Sequence, residues 1–176
     1  MSQLIWHITM SVDGFIAGPD DEMDWAFRVP GRSDLADEMK ETTGAILGGR
    51  RWWDGAVAKH DGVRGIYGGR WTGPVFVLTT HPDDTPEDPA VMALSGGLEA
   101  AVATAREAAG GKNVQVFGAN LAQQCLDAGL LDEIVIHVAP VLLGDGVRLY
   151  GPPGATRTVE LDGAMTDLHY SVPKSK

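Results

Sequence analysis

Apolar residues along this chain come in short runs divided by glycine, proline and acidic turns, and the runs alternate between strand-like and helix-like spacing. Residues 4–10 (LIWHITM) are too continuously apolar for a half-exposed strand, so they predict a first strand covered on both faces. His7, inside that run, reads as a hydrogen-bonded core or edge histidine rather than a catalytic one. Asp13-Gly14 and Gly18-Pro19 are turn dipeptides, and between them Phe15, Ile16 and Ala17 form an apolar patch. That apolar loop either lines a ligand site at the carboxyl end of the first strand or plugs the core. Residues 33–43 (SDLADEMKETT) predict a helix: Ser33 is a good N-cap, Asp34 and Asp37 favour the positive end of the dipole, and Leu35 and Met39 are spaced to face inward together.

Gly44 ends that helix, and Ala45, Ile46 and Leu47 begin a second strand leading into GGRRWW. Residues 56–72 are glycine-rich and irregular, which predicts a mobile surface segment with at most one short helix. Residues 75–80 (VFVLTT) predict a third buried strand, and Val91-Met92 are compatible with a short one. Leu98, Ala101, Val102 and Ala105 carry the spacing of an amphipathic helix that Gly110-Gly111 stops. Val114, Val116 and Phe117 make a strand, Gly118 a tight turn, and Leu121, Ala122, Cys125 and Leu126 one face of a helix that Gly129 terminates. Residues 134–139 (IVIHVA) form the next strand, and 140–146 a turn. In the tail, 159–161 and 168–172 alternate weakly and predict two antiparallel strands. Strands alternate with helices for most of the length. The expected fold is therefore α/β in one domain, 1–176: a mainly parallel twisted sheet with an antiparallel C-terminal edge and helices on both faces.

The 176 residues suffice for one substantial core, and 44% hydrophobic with 22% charged is ordinary globular composition. A formal net charge of -10 disfavours nucleic acid and anionic membrane surfaces as partners, because phosphate backbones need clustered Lys and Arg. The one cysteine, Cys125, rules out an internal disulfide and reads as a small core residue. Nothing reaches the length of a membrane span, and the first residues lack a basic region ahead of their apolar run. A cytoplasmic location is expected.

Two turns carry candidate chemistry. A strand that ends at Gly118 and feeds a helix aims free backbone N–H groups at one point, which suits a phosphate. Gly48-Gly49 permits close backbone approach, and Arg50-Arg51 adds local positive charge. A glycine turn with solvated arginines is the equal alternative there.

Four segments in order, MSVDGFIAGPDD, AILGGRRWWDG, PVFVLTT and VFGANLAQQCLDAGLLDEIVIHVAPVLLGDGVRLY, resemble the dihydrofolate reductase-like superfamily. The nearer branch is that of the C-terminal (RibD C-terminal) reductase domain of riboflavin-biosynthesis deaminase–reductases. The resemblance spans nearly the whole chain and implies a three-layer dihydrofolate reductase-like fold with NADPH extended across the carboxyl ends of the strands. It places Thr9, Ile16 and Ala17 at the nicotinamide, and Gly49, Arg50, Arg51 and Trp52 at cofactor phosphates. Thr79, Thr80 and His81 would flank the adenosine ribose and its extra phosphate, while Gly118, Ala119, Asn120 and Leu121 would cradle the pyrophosphate. Where the family has two or three successive glycines, this chain has Gly118-Ala119-Asn120, and the added Cβ restricts that turn. The acid that serves the substrate in dihydrofolate reductases falls nearest Asp34, with Asp37 and Glu38 as alternatives one turn on. Relatives on this branch commonly pair, so a homodimer is expected.

Hydride chemistry belongs to the cofactor, so a site poor in catalytic side chains is no obstacle. The H-x-E and P-C-x-x-C zinc motifs of a deaminase are absent, as are a Walker loop and a strand-borne GxGxxG. Two functions remain. One is an NADPH-dependent reductase acting on a C=N or C=O of a small pterin-, pyrimidine- or carbonyl-type substrate. The other is a non-catalytic nucleotide-binding or scaffold protein that keeps the fold.

Overall fold

The computed structural model describes residues 2–29, 33–57, 62–84, 90–151, 158–163 and 166–171. Its centre is a six-stranded sheet in the order β5-β4-β3-β6-β1-β7, in which every pairing is parallel. The strands are β1 (Leu4–Ser11), β3 (Thr43–Gly49), β4 (Val75–Leu78), β5 (Val91–Leu94), β6 (Asn113–Phe117) and β7 (Glu133–Ala139). A separate antiparallel pair joins β2 (Phe15–Ala17) to β8 (Val147–Arg148). The helices are α1 (Asp24–Phe27), α2 (Asp34–Thr42), α3 (Arg50–Trp52), α4 (Leu98–Ala108) and α5 (Ala119–Asp127).

Successive side chains of a strand point to opposite faces, and the buried residues sort accordingly. One face sets Leu4, Trp6, Ala45, Leu47, Val114 and Val116 against Ala101, Val102 and Ala105 of α4 and Leu121, Ala122 and Cys125 of α5. The other face sets Ile46, Val75 and Val77 against Trp53 and Ile66. There Gln115 of β6 also donates from Nε2 to the Met39 carbonyl of α2, at 3.0 Å. Helices thus cover both faces of the mainly parallel sheet, as expected. Ser33 caps α2 by accepting from the Ala36 N–H at 3.2 Å. Gly129 ends α5 with φ +67°, and the Leu130 N–H returns to the Cys125 carbonyl at 2.9 Å.

Four expectations need correction. Leu35, spaced to face inward with Met39, is exposed, and of the two only Met39 is buried. The described tail residues carry no strand, and Leu161, Leu168 and Tyr170 are exposed. Their weak alternation finds no face to bury against, and the antiparallel pairing is made instead by β2 and β8. The patch Phe15–Ala17 is a strand rather than a loop, and it is buried. Of the segment 56–72 expected to be mobile at the surface, residues 58–61 lie outside the described residues, and 62–72 pack against the sheet. Ile66 is buried, and the Tyr67 ring packs edge-on to Trp71 and Phe117. The glycines of that segment gave no hint of these anchors.

Asp13 ties two loops together. Its carboxylate accepts from Ser11 Oγ at 2.6 Å and from the backbone N–H groups of Leu143 and Gly144, both across the turn between β7 and β8. Val12 N–H reaches the Val141 carbonyl at 2.9 Å, and Leu149 N–H the Gly14 carbonyl at 3.0 Å. These bonds fix β2 over the carboxyl end of β1. The hydrogen bonds hold the Asp13 carboxyl down to about 2, with the Ser11 hydroxyl as the largest cause. A depressed folded-state value means the stabilisation is complete above the unfolded value near 4 and disappears as pH falls through about 2. Asp13→Asn is therefore expected to melt lower than the parent at neutral pH, with the gap closing towards pH 2. Thermal melts followed by circular dichroism across that range check this.

Candidate functional site

β3 and β6 are neighbours, with Gly48 opposite Phe117 in the register. From β3 the chain continues outward to β4 and β5, and from β6 it leaves the other way to β7. This reversal is the switch point at which open α/β sheets leave a crevice beyond the strand ends. Two helices start there. α3 follows Gly49 and α5 follows Gly118, and neither start carries a side-chain cap. Both therefore present backbone N–H groups that an anion can accept.

The two bends open on the same side and touch. A Cβ on Gly118 would lie 3.2 Å from the Trp52 Cβ and 3.8 Å from the Gly49 nitrogen. Gly118 has φ +95°, a region open to glycine and costly for other residues. Trp52 lies flat across the bend. It stacks on Phe117 at 5.1 Å and 15°, over Gly48, where any side chain would overlap its ring.

A cleft of about 1980 Å³ runs over this point. It exceeds the roughly 300–1,000 Å³ of an ordinary small-molecule pocket and has room for more than one ligand. The cleft brings together all the residues expected at a cofactor: Thr9, Ile16 and Ala17 on β1 and β2, Gly49 to Trp52 after β3, Thr79, Thr80 and His81 after β4, and Gly118 to Leu121 after β6. Asp34 is not among the lining residues. It is exposed near the start of α2, whereas Asp37, one turn on, does line the cleft and pairs with Lys40 at 3.1 Å.

Arg50 binds the Asp54 carboxylate at 2.8 Å and reaches the His81 carbonyl at 3.5 Å, so it links α3 to the end of β4. Thr79 Oγ1 accepts the His81 N–H at 3.0 Å and shapes that turn. Arg51 pairs with Asp21 at 2.9 Å, across the mouth of the cleft. Hydrogen bonding to Asp21 raises the Arg51 value further. Both pairs are solvated, and such pairs contribute roughly 0–1 kcal/mol. A multiply charged phosphate could take these guanidinium groups at little cost.

On the α2 side lies a buried polar chain that no motif announced. His7 Nε2 is 2.7 Å from His137 Nε2, and His7 Nδ1 is 3.3 Å from Gln115 Oε1. Tyr67 donates its hydroxyl to the same Gln115 oxygen, and Ser33 Oγ lies 3.5 Å from His137 Nδ1. His7 is hydrogen-bonded and buried, which agrees with its reading as a core histidine. Burial first, then His137, pushes the His7 imidazole down to about 4. Burial and the Lys40 ammonium also lower His137. Burial raises the Tyr67 phenol and pushes the Cys125 thiol up to about 11, so Cys125 is an inert core residue. Among the described residues, no cluster of three or more His, Cys, Asp or Glu could hold a metal, and no helix is long and apolar enough to cross a membrane.

Residues 2–169 match the family model of the RibD C-terminal domain. The chain belongs to the RibD C-terminal domain family. It is 26% identical over 172 residues to the uncharacterized protein YwjB of Bacillus subtilis (strain 168), covering 94% of this chain and 95% of that one. The crystal structure of a Shewanella sp. PV-4 protein provisionally assigned to riboflavin biosynthesis superposes with a TM-score of 0.68 at 28% identity, over 89% and 86% of the two chains. Dihydrofolate reductase from Enterococcus faecalis, complexed with NADP(H), superposes with a TM-score of 0.57 at 16% identity, over 86% and 79%. That last likeness shows a shared fold. Within this RibD C-terminal domain the Gly118 bend rests on its left-handed conformation, with Trp52 close against it. Gly118→Ala is expected to lower stability by about 1–2 kcal/mol through its left-handed conformation, measured by urea unfolding; an unchanged midpoint would contradict the strained bend.

Proposed function

We propose that the protein is a reductase that binds NADPH along the β3–β6 crevice and passes hydride to a C=N or C=O group of a small pterin-, pyrimidine- or carbonyl-type substrate. The observation that carries this reading is the contact between two uncapped helix starts at the switch point, with Gly49 and Gly118 back to back. One dinucleotide can touch both.

The residues present fit the cofactor. A Cβ at Gly118 would narrow the cradle, and the N–H groups of Ala119, Asn120 and Leu121 begin α5 without a capping side chain. These would hold the pyrophosphate, with Arg50 and Arg51 neutralising charge beside it. Thr79 and Thr80 would hold the ribose end. Ile16 and Ala17, buried and fixed by the Asp13 tie, would shield the nicotinamide from water beside Thr9. The bound dihydronicotinamide supplies the hydride. The chain's own work is to orient, to exclude water and to provide a proton. That the protein works as a homodimer is a proposal of the same standing, checked by light scattering behind size exclusion.

The second reading is a nucleotide-binding scaffold without turnover. The position of Asp34, off the cleft wall, favours it in one respect, since the acid nearest the dihydrofolate reductase position does not face the cleft. NADPH binding with no oxidation across a substrate panel would select it. Arg50→Ala is expected to weaken NADPH about tenfold or more, the size of one lost charge-assisted hydrogen bond. Fluorescence titration measures this, and an unchanged affinity would remove Arg50 from the phosphate site.

A further inference from the structure

The polar chain on the α2 side fixes its own protons. Gln115 Nε2 faces the Met39 carbonyl at 3.0 Å, and a carbonyl only accepts, so the amide oxygen must point the other way. That oxygen takes the Tyr67 hydroxyl and the His7 Nδ1–H. A neutral imidazole has one N–H, so His7 Nε2 is bare. Its 2.7 Å contact with His137 Nε2 then requires the proton to sit on His137. His137 Nδ1 is left as an acceptor, held among the described residues only by Ser33 Oγ at 3.5 Å, the outer limit of a hydrogen bond. Among the described residues it is the one ring nitrogen of the pair with no close protein partner, and His137 and Ser33 both line the cleft.

The register places this nitrogen beside the expected chemistry. His137 of β7 is the Cα partner of Thr9 on β1. His7 and Thr9 share a face of β1 by the two-residue period, so both histidines lie next to the nicotinamide pocket of the reading above.

We infer that the His7–His137 pair is the proton donor of this cleft: it takes up a single proton, and His137 passes one from Nδ1 to the heteroatom of the C=N or C=O bond being reduced. This rests on the reductase reading and names the acid that reading needs. The atoms balance. The carbon takes a hydride with its electron pair from the dihydronicotinamide, which is left oxidised. The heteroatom keeps the electrons of the broken π bond and takes the proton from Nδ1. The neutral pair regains a proton from water. When His137 is charged it carries N–H at both nitrogens, and His7 Nε2 still accepts from Nε2, so the 2.7 Å contact survives. His7 thereby positions and steadies the donor without charging itself.

Among the described residues, the groups facing the pair are few. α2 brings Lys40, whose ammonium pairs with Asp37 and lies 5.8 Å from the centre of the Tyr67 ring. β6 brings the uncharged Gln115, and β1 adds no ionisable side chain besides His7. Glu133, on the same face of β7, is four residues off, roughly 13 Å at the usual rise, and bonds Gln3. Burial and Lys40 keep the pair neutral at neutral pH, so its charged fraction, and with it kcat/KM, grows as pH falls.

The test has two arms on the full chain. Nitrogen-15 NMR of the histidine rings, from pH 8 to pH 4, is expected to show His7 as the Nδ1–H and His137 as the Nε2–H tautomer. One proton should enter the pair, seen at both rings together and below the ordinary histidine range. Two independent titrations in that ordinary range, or the opposite tautomer at His137, would overturn the assignment. NADPH oxidation is then followed with pyrroline and benzaldehyde as probe electrophiles. His137→Gln is expected to quench NADPH fluorescence like the parent, to lose about 100-fold in kcat/KM, and to lose the rise towards acid pH. A parental rate and pH profile in His137→Gln would overturn the donor while leaving the reductase reading intact. A parent that binds NADPH yet reduces neither probe counts against the donor as well. A parent that fails to bind NADPH brings down the reductase reading itself, and the donor with it.

Discussion

Two parallel strands that lie side by side and part in opposite directions set the rest of this structure. Because β3 leads outward to β4 and β6 leads the other way to β7, no helix crosses the gap beyond their ends. The helix starts after Gly49 and Gly118 are left facing the same space. The nine-residue α5 carries a partial positive charge at its uncapped start, and the short α3 adds backbone N–H groups beside it. In a chain with a net charge of -10, these backbone N–H groups offer anion contacts in the crevice, beside Arg50 and Arg51, which are paired with Asp54 and Asp21. The remaining loops serve that space. Asp13 locks the turn after β1 to the turn before β8, which holds Ile16 and Ala17 over the cleft.

The same geometry explains the polar floor. Gln115 is fully buried in the middle of β6, where an unsatisfied amide would cost about 1–3 kcal/mol. Every polar atom of its side chain has a partner, and those partners are what orient His7 and Tyr67. Tyr67 accepts φ +52°, a conformation that costs a non-glycine residue roughly 1–2 kcal/mol, and sets against it the ring contacts with Trp71 and Phe117 and the hydroxyl bond to Gln115. A strained residue held by several independent contacts beside a cleft fits a floor shaped for a ligand rather than for stability alone.

How much of this could be read from the residues follows from which signals are local. Strand runs such as 4–10 and 114–117, the N-cap at Ser33 and the stop at Gly129 are short-range features, and they became β1, β6 and the ends of α2 and α5. The glycine bends were visible for the same reason. Their contact was not, because it depends on which strands become neighbours. Alternation in the tail points to an antiparallel pair there, whereas β2 and β8 are three and two residues long and too short to alternate. His137 sits inside an apolar strand, and neither it nor His7 has a polar neighbour in sequence that marks a site. Their meeting is set by the β1–β7 register across 130 positions of sequence, which no spacing rule encodes. The expectation at Asp34 came from the helix start that resembles dihydrofolate reductases, and a shift of one helical turn moves a carboxylate from the wall of the cleft to solvent.

The most direct test of the central claim is to titrate NADPH into nitrogen-15-labelled protein and map the backbone amide shifts. The account predicts that the largest shifts appear together at 49–52 and 118–121, with smaller ones at Thr79 and Thr80, and that they saturate at one cofactor per chain. Shifts confined to one of the two bends, or centred away from the β3–β6 crevice, would contradict it.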